Sequence, residues 1–209
     1  MLRLPTLMAL AVWVTTGCAA KAAGQREPVT QPLVTASIAG QSVALLPLTM
    51  VVADPDVRDS ALARDREALI KYGDSLVTEA MLARAPEIDW IPPAELRRMA
   101  RRSGGLVPDP DRMGQSVMRS SSLKTVPDPL RSNLRKLISI AGNARYALIP
   151  AALYVRADST GQIESDLNVL LADSRTGRVV WRSVAKGTGS TAAAAVARAV
   201  ETIFPPEGS

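Results

Sequence analysis

Tyr146-Ala-Leu-Ile-Pro-Ala-Ala-Leu-Tyr-Val155 is almost wholly apolar. A run of this length between polar neighbours reads as a strand buried on both faces, in the middle of a sheet. Pro150 breaks the pattern, because a residue without an N–H cannot donate to a ladder, so the strand needs a bulge or a free edge there. Downstream, the turn Asp158-Ser-Thr-Gly161 leads to Leu167, Val169 and Leu171 alternating with Asp166 and Asn168, the period of a half-buried strand. A second turn, Asp173-Ser-Arg-Thr-Gly177, leads to Val179, Trp181, Ser183 and Ala185, which a strand would place on one face, with Trp181 inward. Two successive hairpins make a meander. An alanine-rich helix over 190–203, stopped by Pro205-Pro206, closes the chain.

Upstream, Val43-Ala-Leu-Leu-Pro-Leu48 reads as a buried strand that Pro47 helps to end, with Asp54-Pro-Asp56 in a loop behind it. Residues 60–84 carry Leu62, Leu69, Tyr72, Leu76 and Ala80, widened by Ile70, Val77 and Met81, with Arg64, Asp65, Lys71, Asp74 and Arg84 elsewhere; the spacing is helical. Ala85-Pro86 stops that helix, Ile88–Ile91 makes a short strand, and Pro92-Pro93 opens a second helix through Leu96, Met99 and Ala100 to Gly104-Gly105. Residues 103–128, rich in Gly, Pro and Ser, read as a long mobile loop with one helical turn near Met113–Met118, both methionines exposed and few core positions. A helix from Pro129 to Ala141 follows, its apolar face made by Leu130, Leu134, Leu137, Ile138 and Ala141. The expected class is α/β (α+β): a single domain with a mixed sheet, ordered strand, helix, strand, helices, three-strand meander, helix. There is no internal repeat.

The N-terminus has a different grammar. Arg3, an apolar stretch through Leu7, Leu10, Val12 and Val14, and the small residues Thr15, Thr16 and Gly17 precede Cys18, the single cysteine. This is the basic, apolar and small-residue order of a secretory signal. It is too short for a membrane span of about 20 residues. Thr15-Thr16-Gly17-Cys18 resembles the lipobox of bacterial lipoproteins, with Thr15 where those proteins usually have leucine. The resemblance implies cleavage before Cys18, lipid on its thiol and new amine, and, with Ala19 rather than aspartate next, the periplasmic face of the outer membrane. Several acyl chains anchor a protein stably where one is marginal. The organisation is then signal 1–17, lipidated tether 18–34, periplasmic domain 35–205 and tail 206–209. The tether reaches at most about 50 Å when stretched, at about 3.3 Å per residue.

Composition narrows the chemistry. There is no histidine, and no cysteine beyond Cys18, so zinc and most transition-metal sites lack ligands, leaving only an all-oxygen site for a hard cation. Acyl transfer with a histidine base is excluded too. No cofactor is expected apart from the covalent lipid on Cys18. Losing residues 1–17 removes one basic residue, Arg3, and lowers the net charge from +5 to +4. For an exported chain that mild excess points to anionic lipid or an acidic protein rather than nucleic acid.

Four motifs imitate catalysis. Ser183-Val-Ala-Lys186 spells Ser-x-x-Lys, but a strand sends its two ends to opposite faces. Gly187-Thr-Gly189-Ser-Thr-Ala192 has a dinucleotide-binding spacing, yet the chain ends where the next strand should come; a turn with Ser190 or Thr191 capping the last helix explains it. Gly40-Gln-Ser42-Val-Ala44 lacks the second glycine of a nucleophile elbow. Asp54, Asp56 and Asp59 lack the glycine and closing glutamate of a calcium loop. The uneven region is a basic set within 97–136, from which Arg97, Arg101, Arg112, Arg119 and Lys124 are the candidate partner or lipid contacts. A solvated face is the simpler explanation, and no aromatic platforms for stacked bases accompany it.

The element order, carried by Val43–Leu48, Leu76–Leu82, Ala144-Arg-Tyr-Ala-Leu-Ile149, Leu167–Leu171 with Asp173, and Thr176-Gly-Arg-Val-Val-Trp181, resembles the α/β domain of periplasmic assembly lipoproteins. These are the CsgG, LpoB and TolB N-terminal domain group. The resemblance covers most of residues 42–204 and implies a non-enzymatic interaction or assembly module of the cell envelope or a secretion system, with an envelope protein partner. It transfers no functional residue. No stretch supplies the amphipathic hairpins of a curli-type pore, and the tether is shorter than that of the synthase activator. A homo-oligomeric ring and, last, a histidine-free cell-wall hydrolase are the alternatives.

Overall fold

The computed structural model describes residues 32–33, 35–55, 57 and 64–204; Cys18, nearly all of the tether, Asp56, Asp59, Leu62 and the tail lie outside them. Strands β1 (Ser42–Leu45), β2 (Val51–Ala53), β3 (Asp89–Ile91), β4 (Tyr146–Ala157), β5 (Ile163–Asp173) and β6 (Val179–Gly189) form one mixed sheet. Helices are α1 (Arg66–Arg84), α2 (Pro93–Arg102), α3 (Leu130–Ile140) and α4 (Ala192–Glu201). The strand order is β3-β1-β4-β5-β6, with β2 also on β4; β3, β1, β4 and β2 are parallel, and β5 and β6 antiparallel. The expected class, the meander and the four helices are all present.

Pro150 acts as its chemistry requires. The register of β4 on β5 shifts between Pro150 and Ala152, and pairing on the other side stops with Leu45 opposite Leu148 and resumes with Val51 opposite Leu153. Leu148 and Leu153, five residues apart, therefore share a face, which an unbroken period of two forbids. The strand β2 was not expected from the sequence; three residues are too few to show a period.

The sheet is covered on both sides. Leu148, Leu153, Leu167, Val169 and Leu171 meet Leu69, Val77 and Met81 of α1 and Val196, Ala199 and Val200 of α4. Ala147, Ile149, Ala151 and Leu170 meet Leu96 of α2, Leu134 and Leu137 of α3, and Met113, Met118 and Val126. The last three correct the expectation of a mobile loop with exposed methionines: Met113 is 3% and Met118 0% exposed. Short 3-10 turns, Pro110–Arg112 and Gln115–Arg119, shape the segment. Its core residues are isolated between prolines and glycines, so they leave no periodic trace.

A second correction concerns β6. A register shift where Leu171 and Ala172 face Trp181 and Val179 inserts an extra residue, and Val179 packs on the α2–α3 side while Trp181, half-buried, packs on the α1–α4 side. Trp90 is the better buried tryptophan, 8% exposed, with Nε1 donating to the Ala85 carbonyl at 2.9 Å. Truncating a buried tryptophan costs about 3–5 kcal/mol. Trp90→Ala should approach that range and Trp181→Ala fall below it, ranked by urea unfolding.

Candidate functional site

The imitated motifs become structure. Ser183 is buried and Lys186 exposed on opposite faces of β6, while Thr191 caps α4 through a 3.1 Å bond from the Ala194 N–H. Gly187 and Gly189 let α4 approach the strand; a Cβ at Gly187 would come within 2.2 Å of the Ala195 carbonyl and the Ala199 nitrogen.

One concavity is a cleft of about 960 Å³. It opens at the carboxyl ends of the parallel strands β1 and β3, the end at which open α/β sheets place ligand crevices. Leu48 and Thr49, beyond β1, form its floor with Pro92 beyond β3; Ile70, Lys71 and Asp74 of α1 and Ala94 and Arg97 of α2 form its walls, and Asp111 and Arg112 its rim. Gly73 admits the floor: a Cβ there would stand 2.9 Å from the Leu48 side chain.

Arg97 ties these elements together. Its Nη2 donates to Asp74 Oδ2 at 2.8 Å and Asp111 Oδ1 at 2.9 Å, and its Nε to Asp111 Oδ2 at 2.9 Å. The other Asp74 oxygen accepts the Leu48 N–H at 3.1 Å. Asp74 is 9% exposed, buried although it stands off the apolar stripe of its helix. The bonds to Asp111, opposed by burial and reinforced by Asp74, hold the guanidinium's pKa well above its ordinary value. A forked guanidinium between two carboxylates fixes direction as well as charge.

Arg97, a candidate partner or lipid contact by sequence, is thus engaged by two carboxylates of its own chain. Arg97→Ala would strand Asp74. Losing one partner of a buried pair costs about 3–5 kcal/mol; since Arg97 is 28% exposed, we expect about 2 kcal/mol, with Arg97→Lys intermediate, read by urea unfolding.

The other basic candidates have local settings of their own. Arg112 shares the cleft with Arg97, and Arg101 lines a smaller pocket with Arg97 and Asp109. Arg119 donates to the Ser116 carbonyl at 3.1 Å, and the Lys124 carbonyl accepts the Val179 N–H at 2.9 Å. The sequence missed Arg182, which reaches from β6 to the carbonyls of Met118 at 2.6 Å and Leu123 at 3.2 Å; burial lowers its pKa. No acidic residue in the sequence marks this contact, because its acceptors are main-chain.

Among the described residues there is no cluster of His, Cys, Asp or Glu arranged to hold a metal ion, and no helix is long and apolar enough to cross a membrane. No known protein family matches the sequence, and no curated protein matches it. The structure is similar to the LpoB C-terminal domain from Salmonella enterica, at 16% identity over 73% of this chain and 84% of that one, TM-score 0.40. It is also similar to Lipoprotein GNA1162 from Neisseria meningitidis, at 16% identity over 70% of this chain and 78% of that one, TM-score 0.33. A third likeness is to the PelC dodecamer from Paraburkholderia phytofirmans, at 14% identity over 84% of this chain and 94% of that one, TM-score 0.33. These likenesses are distant, and none gives a residue of this chain a role.

Proposed function

We propose that this chain is a lipid-anchored protein of the bacterial cell envelope, held on the periplasmic face of the outer membrane by Cys18, and that it works by binding another envelope protein rather than by catalysis. The lipobox-like ending at Cys18 supports the anchor. The observation that carries the contact reading is the cleft at the carboxyl ends of β1 and β3. It opens at the end of the sheet away from Thr35–Gln41, the segment that brings the chain into β1, so an anchored domain presents the cleft outward. A floor with Leu48 and Pro92 among lining side chains that include Glu67, Lys71, Glu79 and Arg112 suits a protein segment with its own alternating charges, since a mixed charge lining selects register more than net charge.

Photo-crosslinking from Ile70 or Ala94 in the full chain in cells should capture one protein, and from Ser159, in the β4–β5 turn outside the cleft lining, should not. The same products from all three positions, or none from the cleft, would refute the partner site. Cys18→Ser should leave an uncleaved precursor without acyl label; equal labelling of both forms would refute the anchor.

A further inference from the structure

The other end of the sheet, where β1 and β4 begin, gathers cations that have no acidic partner. Arg145 donates its N–H to the Ser42 carbonyl at 2.9 Å and accepts the Ser174 N–H at 3.1 Å, so the starts of β1 and β4 adjoin the β5–β6 turn. Arg135 of α3 donates to the Arg175 carbonyl in that turn, and Thr125 bridges Arg178. Lys124, Arg135, Arg175 and Arg178 thereby come to one exposed surface, and among the described residues none of the four forms an ion pair.

The acids nearest these cations are occupied. Asp128 binds Arg131 at 2.6 Å. Asp173 binds Arg145 at 3.1 Å; although burial works against it, the Thr176 N–H and hydroxyl, Arg145 and the Arg175 N–H hold its pKa below the usual aspartate range. Glu87 and Asp89 lie on the β3 side.

Arg135 and Arg175 flank a pocket of about 400 Å³ walled by Ile138, Ser139, Asn143 and Ser174, with no carboxylate in it. The Ile138 carbonyl, which would repel an anion, already accepts the Ala141 and Asn143 N–H groups, both at 3.0 Å. Two guanidiniums beside an amide are the chemistry that takes a phosphate; the Ser139 and Ser174 hydroxyls already donate to the Lys136 and Ala144 carbonyls, at 2.8 and 2.7 Å, and leave that role to Arg135, Arg175 and Asn143.

We propose that this end of the domain rests on anionic lipid, with a lipid phosphate between Arg135 and Arg175. The orientation rests on the anchor proposed above: Thr35–Gln41 joins the domain here, where the Gly40 N–H meets the Glu87 carbonyl at 2.9 Å and the Asp89 N–H meets the Gln41 carbonyl at 3.2 Å. A tethered chain then turns this end to the bilayer, whose negative surface attracts basic side chains.

The test is hydrogen exchange of the full lipidated chain in vesicles of phosphatidylcholine alone and of phosphatidylcholine with phosphatidylglycerol. Each arginine at an anionic surface changes the equilibrium about five-fold, so amides of 135–143 and 173–178 should exchange about 25-fold more slowly with phosphatidylglycerol. High salt should abolish the difference, and the double variant Arg135→Ala/Arg175→Ala should cut it about 25-fold, Lys124 and Arg178 keeping any remainder. Equal exchange in both vesicles, or protection undiminished in the double variant, overturns the proposal. Glycerol phosphate added to the neutral vesicles should give no protection; protection equal to that from phosphatidylglycerol would assign the pocket to a soluble phosphate and overturn the lipid surface. Flotation with neutral vesicles reads the anchor separately: a chain that stays behind refutes the anchor, and the phosphatidylglycerol comparison still decides the pocket.

Discussion

Deleting residues 106–126 is expected to abolish folding. The segment contributes Val107, Met113, Met118 and Val126 to the core under α2 and α3, and Gln115, fully buried, donates to the Pro110 carbonyl at 2.7 Å. Removing each large apolar side chain from a packed core costs about 2–5 kcal/mol. Several together exceed the roughly 5–15 kcal/mol by which a domain is stable. Arg182 would also lose both carbonyl acceptors, leaving a half-buried guanidinium unpaired. Far-UV circular dichroism and proton NMR of the deletion should show no cooperative transition. Leu106→Ser is the matched control: Leu106 is 83% exposed and its loss should leave the midpoint unchanged. A folded deletion variant would mean that Met113 and Met118 are dispensable to the core.

Gly187→Ala carries the next largest effect. The new Cβ would meet main-chain atoms of α4 at 2.2 Å, and a backbone contact cannot rotate away as a side chain can. The helix must lift from β5 and β6, loosening Ala195, Val196, Ala199 and Val200, all buried. Overpacking of side chains costs about 1–3 kcal/mol, and more when backbone must move. We expect about 3 kcal/mol or more, a fall in Tm of about 6–12 °C for a chain of this size. Gly161→Ala separates clash from strain: its φ is +81° with open space around it, so it should cost only about 1 kcal/mol. Equal midpoints for the two variants would show that α4 does not press on Gly187.

The sequence revealed what repeats. Leu167, Val169 and Leu171 announce a strand by alternation, and Leu130, Leu134, Leu137 and Ile138 a helix by spacing, because each buries one face. Pro150 announced a bulge by a missing donor. Met113, Gln115 and Met118 announced one helical turn but not their burial: each is held by a different neighbour in an irregular path, and the surrounding Gly and Pro suggested a free loop. The ion triad was hidden for the same reason. Asp74, Arg97 and Asp111 are 23 and 14 residues apart, and only the fold makes them neighbours. The bulge in β6 misled in the other direction, since an intact alternation puts Val179 beside Trp181.

The proline in β4 reaches further than the sheet. With a residue there that could donate, the chain from Ser42 to Ala53 would have reason to zip along β4 as one continuous strand; instead it leaves at Leu46 and returns at Val51. The slack so created, Pro47 to Met50, bows outward and puts Leu48 and Thr49 under the cleft. A concave surface has thus been made by denying a strand its partner rather than by adding a loop. Any drift of this sequence towards a better sheet would be drift towards a shut door.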